Sequence, residues 1–209
     1  MSLRERLASG GFAVTAEISP PRGACTDPVA RVAVLLRDWV DAVNVTDNQG
    51  SNVRLASWAA SLAVLAAGLE PVMQMTCRDR NRIALQSDLL GACSLGVRNI
   101  LVMTGDHPKF GDHPEAKPVF DLGSIQLLSA FRAMREEHTL MSGRGVDPAP
   151  DCFLGAVENP FGPSVALPAD RLARKVAAGA QFVQTQFVFD LAAFGRWMAQ
   201  VRDLGLDER

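Results

Sequence analysis

PVMQMTCRDRNRIALQSDLLGACSLGVRNILVMTGD, residues Pro71 to Asp106, reads as strand, helix, strand. Pro71 to Cys77 is rich in residues that suit a buried pleated strand. A helix follows near Arg80 to Leu95 and stops at Gly96, a residue suited to a helix C-terminus. Asn99 to Met103 is apolar again and runs into Thr104-Gly105-Asp106. Two such strands joined by a helix must pair in parallel, with a right-handed crossover.

The same unit recurs in both directions. Phe12 to Ser19 is a strand halted by Pro20-Pro21, and Asp27-Pro28 starts a helix with Val29, Val32, Leu35, Leu36 and Trp39 at helical spacing. Ala42 to Thr46 is the second strand, followed by a helix over Ser51 to Ala67 that ends at Gly68. After the fourth strand comes a long irregular stretch, Gly105 to about Gly123, holding Gly-Asp-His-Pro twice. Loops of this length inside compact domains are usually functional or mobile. A helix around Ile125 to Met134, a strand over Cys152 to Val157, a helix over Pro168 to Ala178, a strand over Gln181 to Phe187 and a helix over Leu191 to Leu204 complete the pattern.

Each strand closes on a residue able to do chemistry: Glu17, Thr46, Thr76, Asp106, Asn159 and Gln186. Parallel strands connected by helices bring all their C-terminal ends to one face, so these residues converge. The fold class expected is an α/β (β/α)8 TIM barrel with about six of its eight units present, as one domain over residues 1–209 that lacks the last two units. An open parallel sheet is the alternative.

Composition narrows the function classes. With 48% hydrophobic residues the chain supplies a full core, and a net charge of −2 makes no electrostatic case for nucleic acid or an anionic membrane. The N-terminus lacks the apolar segment of a signal peptide, and no apolar run reaches the ~20 residues of a membrane span. Cys25, Cys77, Cys93 and Cys152 are scattered and read as reduced thiols of a cytoplasmic protein. His107, Asp112 and His113 sit on a Pro-containing loop that makes a poor metal cage, so no metal site is expected.

Glu17 lies within an apolar strand, where a raised pKa would suit a general acid; a carboxylate paired with a neighbouring arginine is the plainer reading. Gly105 permits close backbone approach to a ligand, and Asp106 can accept from ring N–H groups, although Gly-Asp is also an ordinary turn. Thr46 to Ser51 could hold phosphate, or Ser51 could simply cap the helix. Gln184 and Gln186 share a strand face, and an amide suits the donor–acceptor edge of a heterocycle as well as a partner inside a barrel.

Six segments together resemble the methylenetetrahydrofolate reductase family: AEISPPRG (Ala16 to Gly23), VNVTDNQGS (Val43 to Ser51), PVMQMTCRDRN (Pro71 to Asn81), VMTGDHP (Val102 to Pro108), LGAVENP (Leu154 to Pro160) and KVAAGAQFVQTQFVFD (Lys175 to Asp190). The resemblance implies a barrel that binds FAD at its strand-end face. It implies reduction of 5,10-methylenetetrahydrofolate to 5-methyltetrahydrofolate with NADH or NADPH; the oligomeric state is left open, between a homo-oligomer and a complex with a partner reductase. By position Glu17 matches the family's general acid, Asp106 the carboxylate near flavin and pterin, and Gln186 the folate-contacting amide. Thr46, Gln74, Thr76, Thr104, Gly105, Asp106, Ala156 and Lys175 fall on the flavin-binding segments, with Lys175 facing phosphate. Gln74 stands where a histidine is familiar, and the chain has no tyrosine. Two other classes fit the same pattern: a pterin-binding barrel that transfers a methyl group without flavin, and a non-catalytic member that binds a partner.

Overall fold

Six parallel strands follow one another across a single sheet in strict chain order. They are β1 (Thr15–Ile18), β2 (Ala42–Val45), β3 (Pro71–Thr76), β4 (Asn99–Met103), β5 (Phe153–Glu158) and β6 (Phe182–Thr185). The structure is a computed structural model and describes residues 1–162 and 168–207. Strand order without reversal is the winding of a TIM barrel, whereas a doubly wound sheet switches direction part-way across. The expected fold class is therefore the observed one. Within the described residues the sheet has six strands, and β1 and β6 form its edges.

Alternation along the strands separates two faces. Outward residues Met73, Met75, Ile100, Val102, Leu154 and Ala156 pack with Leu85, Leu89, Leu127 and Phe131 of the helices in one large core. Val43, Val45 and Ile18 pack likewise against Val29, Ala33, Ala60 and Val64. The inward face holds a smaller cluster of Ala42, Val72, Leu101, Phe153 and Phe182 with Leu3. Gly155 makes this interior possible, because the ring of Phe182 lies where a Cβ would stand, 2.2 Å from it.

Helices α2 (Asp27–Leu36), α3 (Ser57–Ala66), α4 (Arg82–Ser94), α5 (Ser124–Arg132), α6 (Pro168–Ala177) and α7 (Leu191–Asp203) cross back outside the sheet, preceded by a short N-terminal α1 (Leu3–Ala8). The α1 turn, absent from the sequence expectation, opens with a Ser2–Glu5 capping box, and Leu3 N–H donates to Glu70 at 2.7 Å. It covers the strand-start end of the interior, leaving the opposite end for ligands.

Several boundaries move. Ser51 does not start a helix: it closes a 3₁₀ turn over Gln49–Ser51, and α3 begins six residues later at Ser57. The chain here runs through left-handed Asn48, Gly50 and Ser51, which no α-helical start could include. Asn81 is the true cap of α4, accepting from Ile83 and Ala84 N–H. The long stretch after β4 contains its own 3₁₀ turn over Pro108–Phe110, and α5 ends in a π-turn over Ala133–Glu137. Cys77, Cys93 and Cys152 are buried and Cys25 is exposed, all as free thiols. No helix among the described residues is long and apolar enough to cross a membrane.

Candidate active site

The strand-end rim is built by the turns after β1 to β4. Glu17 points inward from β1 beside Asn44 of β2 and is exposed, not held among apolar neighbours. Its carboxylate lies between two amides: Gln49 Nε2 is 3.4 Å from one oxygen and Gln74 Nε2 is 3.4 Å from the other. Gln49 reaches there from the turn after β2, and its side-chain Oε1 accepts from Ser19 Oγ at 2.6 Å. Thr46 Oγ1 approaches the same serine at 3.4 Å. Glu17, Thr46 and Gln74 therefore form one contiguous polar group. Below it, Asn44 is buried with an Oδ1 that lacks a partner among the described residues.

A second group assembles around Gly105. Its φ is +88°, and a Cβ there would meet the Thr76 side chain at 3.0 Å and Arg78 Cβ at 3.3 Å. Only glycine lets the chain pass so close to β3 in that conformation. The passage carries Thr104 and Asp106 onto the exposed rim, where Thr104 Oγ1 contacts Ser124 Oγ at 3.3 Å. The Asp106 carbonyl accepts from Ser51 Oγ at 2.9 Å.

Arg78 is the residue sequence reasoning missed. Only 2% exposed, its guanidinium forks onto Asp79, with Nε and Nη2 each at 2.7 Å. Nη2 also donates to Asn48 O at 3.2 Å, and Nη1 to Ser51 Oγ at 3.0 Å and Asp106 O at 3.4 Å. Burial disfavours the Arg78 charge, but the hydrogen bond and charge of Asp79 outweigh it and raise its pKa. Burial likewise pushes Asp79 up, and the bonds from Arg78 and Asn48 bring it below its ordinary value. No spacing rule singles out one arginine in Cys-Arg-Asp-Arg as the inward one.

Thr76, a predicted flavin contact, is already bonded: its N–H and hydroxyl donate to the buried Asp47 carboxylate at 2.8 and 2.9 Å, and Arg80 bonds the same oxygen. With Asp47, Asp79 and Asp112 around it, the turn after β2 offers carboxylates and not a phosphate cradle. Asp112, from the second Gly-Asp-His-Pro, accepts from Val53 N–H at 3.2 and 3.1 Å and so ties the long β4 loop to this turn. No group of three metal-ligating side chains comes together among the described residues.

Two predicted residues lie away from the rim. The methyl of Ala156 faces the helix-side core. Lys175 is half of a buried ion pair, its Nζ 3.0 Å from Glu158 Oε2 and bonded also to Val157 O. Arg171 Nε reaches the other oxygen at 2.7 Å, and Asn159 N–H at 2.9 Å. Burial alone would raise the Glu158 pKa; Arg171 and Lys175 instead hold it below the ordinary value. Arg171 and Lys175 stand four apart on α6, a spacing that could have revealed their shared carboxylate. Gln186 lies just past β6, exposed, its N–H bonded to Glu158 O at 2.9 Å. Gln184 sits one layer below on the inward face, next to Val157.

Six sequentially wound parallel strands forming a half-barrel, with polar groups gathered at the strand ends, define a protein of the (β/α)-barrel class. The profile of the methylenetetrahydrofolate reductase family matches residues 2–209, and the chain belongs to that family. Methylenetetrahydrofolate reductase 2 of Saccharomyces cerevisiae is 30% identical over 174 residues, which is 79% of this chain and 27% of the yeast protein. A probable methylenetetrahydrofolate reductase (NADPH) of Caenorhabditis elegans is 28% identical over 200 residues, 92% of this chain and 28% of the relative. The chain thus spans just over a quarter of the length of these relatives. Among solved structures, a Clostridium thermocellum protein that binds two copies of 5-methyl-5,6,7,8-tetrahydrofolic acid superposes with a TM-score of 0.61 at 12% identity, over 98% of this chain and 66% of that one. That likeness bears on the fold.

Proposed function

We propose that this chain carries the strand-end site of a flavin-dependent reductase that converts 5,10-methylenetetrahydrofolate to 5-methyltetrahydrofolate. The observation that carries the reading is Glu17: an exposed carboxyl on the inward face of β1, between the amides of Gln49 and Gln74, at the end of the barrel that α1 does not cover. Family membership over residues 2–209 supplies the chemical context.

We assign the rim between β2 and β4 as the seat of a planar cofactor. Bare backbone at Gly105 brings Thr104 and Asp106 to the surface, and Thr46 and Gln74 close the adjoining strand ends. These five are the residues we assign to hold FAD, which when bound supplies a hydride drawn from NADH or NADPH. The similarity to the Caenorhabditis elegans relative, a probable methylenetetrahydrofolate reductase (NADPH), favours NADPH. Thr76, Ala156 and Lys175 have their side chains committed elsewhere, and we leave them out of this cofactor seat.

In the folate step the Glu17 carboxyl donates a proton to the amine nitrogen that leaves the methylene carbon. The remaining nitrogen and that carbon become an iminium, and the hydride closes it to a methyl group. Asp106 accepts from pterin N–H groups and orients the ring, and the exposed amide of Gln186 binds the opposite edge. We place the activity in the cytoplasm. The test is optical. The purified protein, supplied with FAD, is treated anaerobically with NAD(P)H and then with methylenetetrahydrofolate. A flavin band that bleaches and then recovers supports the reading. A protein that takes up no FAD but binds 5-methyltetrahydrofolate overturns it in favour of methyl transfer.

A further inference from the structure

We infer that Arg78 is a positioning residue for Asp106, locking the turns after β2, β3 and β4 together so that the Asp106 carboxylate is held at one place on the rim. The inference rests on the proposed role of Asp106 in ligand binding.

A guanidinium has five N–H donors, and all five have acceptors here: two on Asp79, one on Asn48 O, one on Ser51 Oγ and one on Asp106 O. These acceptors lie on three different strand-end turns. Lysine could not reproduce the fork, having a single nitrogen to serve acceptors spread across a plane. The last link is doubled, because Ser51 Oγ accepts from Arg78 and donates to Asp106 O at 2.9 Å. Asp106 itself needs such support. It follows Gly105, the residue with the fewest backbone restraints, and its carboxylate is exposed. Beyond it, Gly111 lies tightly on the Ser51 backbone, so the turn is pinned at both ends to the piece of chain that Arg78 grips. The buried arginine thus has no ligand-facing donor left and acts through the carbonyl of the residue that does face the ligand.

Arg78→Lys and the milder Ser51→Ala test this in the FAD-supplied protein by two readouts. The first is amide hydrogen exchange at Phe110 and Gly111, whose N–H groups bond His107 O and Pro108 O. Exchange there is expected to quicken roughly tenfold or more in Arg78→Lys, the scale of one lost bond to a charged group, and less in Ser51→Ala. Unchanged exchange in a folded Arg78→Lys overturns the inference whatever the activity. The second is a double-mutant cycle on the folate half-reaction against Asp106→Ala. Arg78→Lys is expected to slow that step and raise the folate KM at least tenfold in the wild-type background and to add little once the Asp106 side chain is gone. Equal losses in both backgrounds overturn the inference. Quickened exchange with a fully active Asp106→Ala leaves the clamp standing and removes Asp106 from the reaction, which is a failure of the functional reading instead.

Discussion

Gly105 does something no other residue type could do at the same position, and Glu17 is the residue to which we assign the proton transfer. The Glu17 oxygens face one amide each at 3.4 Å, long enough that the carboxyl stays available to a ligand and close enough to set its direction. Glu17→Gln keeps the shape and removes the carboxyl to which we assign proton donation. Its folate step is expected to fall by about 10²–10⁴-fold, the usual contribution of a general acid, while flavin reduction by NAD(P)H stays at the wild-type rate. Stopped-flow measurement of the two half-reactions separates these; folate reduction near the wild-type rate would remove Glu17 from the chemistry. Gly105→Ala puts a Cβ 3.0 Å from Thr76 at a φ of +88°. About 1–3 kcal/mol of stability is expected to be lost, read from the urea midpoint, together with weaker FAD retention as Thr104 and Asp106 shift. Both residues were legible in sequence by their place at strand ends. Arg78 was not, because its role depends on which loops arrive beside it.

At the scale of elements, the helices do more than cover the sheet. Arg171 and Lys175 project from one face of α6 onto Glu158 at the end of β5, joining helix to strand through a carboxylate whose side chain is fully buried. Removing one partner leaves that charge under-compensated, even though Arg171 is partly solvated. Lys175→Met is therefore expected to destabilise by about 2–4 kcal/mol, lowering Tm by roughly 5–15 °C. FAD affinity, measured by fluorescence titration below the melting range, is expected to change little. A weakened FAD affinity with an unaltered Tm would restore the phosphate-binding role that the resemblance implies. The unit pattern of strand and helix was readable from periodicity and turn residues, and all six strands stand within a few residues of their expected places. The ends of elements were harder to place. Ser51 looked like a cap because serine before an apolar helix usually is one, but three consecutive left-handed or tightly turned residues use it to bond another loop.

Across the molecule, several carboxylates are held ionised by arginine and lysine. Arg82 binds Asp121 through Nε, Nη2 and its own N–H at 2.8 to 2.9 Å, holding that carboxyl at about 2. The folded value lies below the unfolded one, near 3.9, so the stabilisation is complete above about pH 4 and is lost as pH falls through the folded value. Asp79 and Glu158 are shifted in the same direction. Melting temperature is thus expected to drop steeply between about pH 4 and pH 2, and the Tm difference between wild type and Asp121→Asn is expected to shrink over that interval. A difference independent of pH would show that the pair does not link α4 to the β4 loop.

The sequence by itself determined the parallel strand–helix winding, the apolar outer core and the placing of Glu17, Thr46, Thr76 and Asp106 at strand ends. These follow from local periodicity and from the rule that parallel crossovers put like ends together. Its motifs also carried the family resemblance and, through it, Gln74. The tertiary structure alone decided which polar groups remain free. Thr76 and Lys175 are consumed by Asp47 and Glu158, Ala156 turns outward, and Glu17 stands exposed between two amides. Arg78 becomes the centre of three loops for the same reason. Most buried donors and acceptors find a partner, and the partners come from segments tens of residues apart that only the folded packing brings within bonding distance.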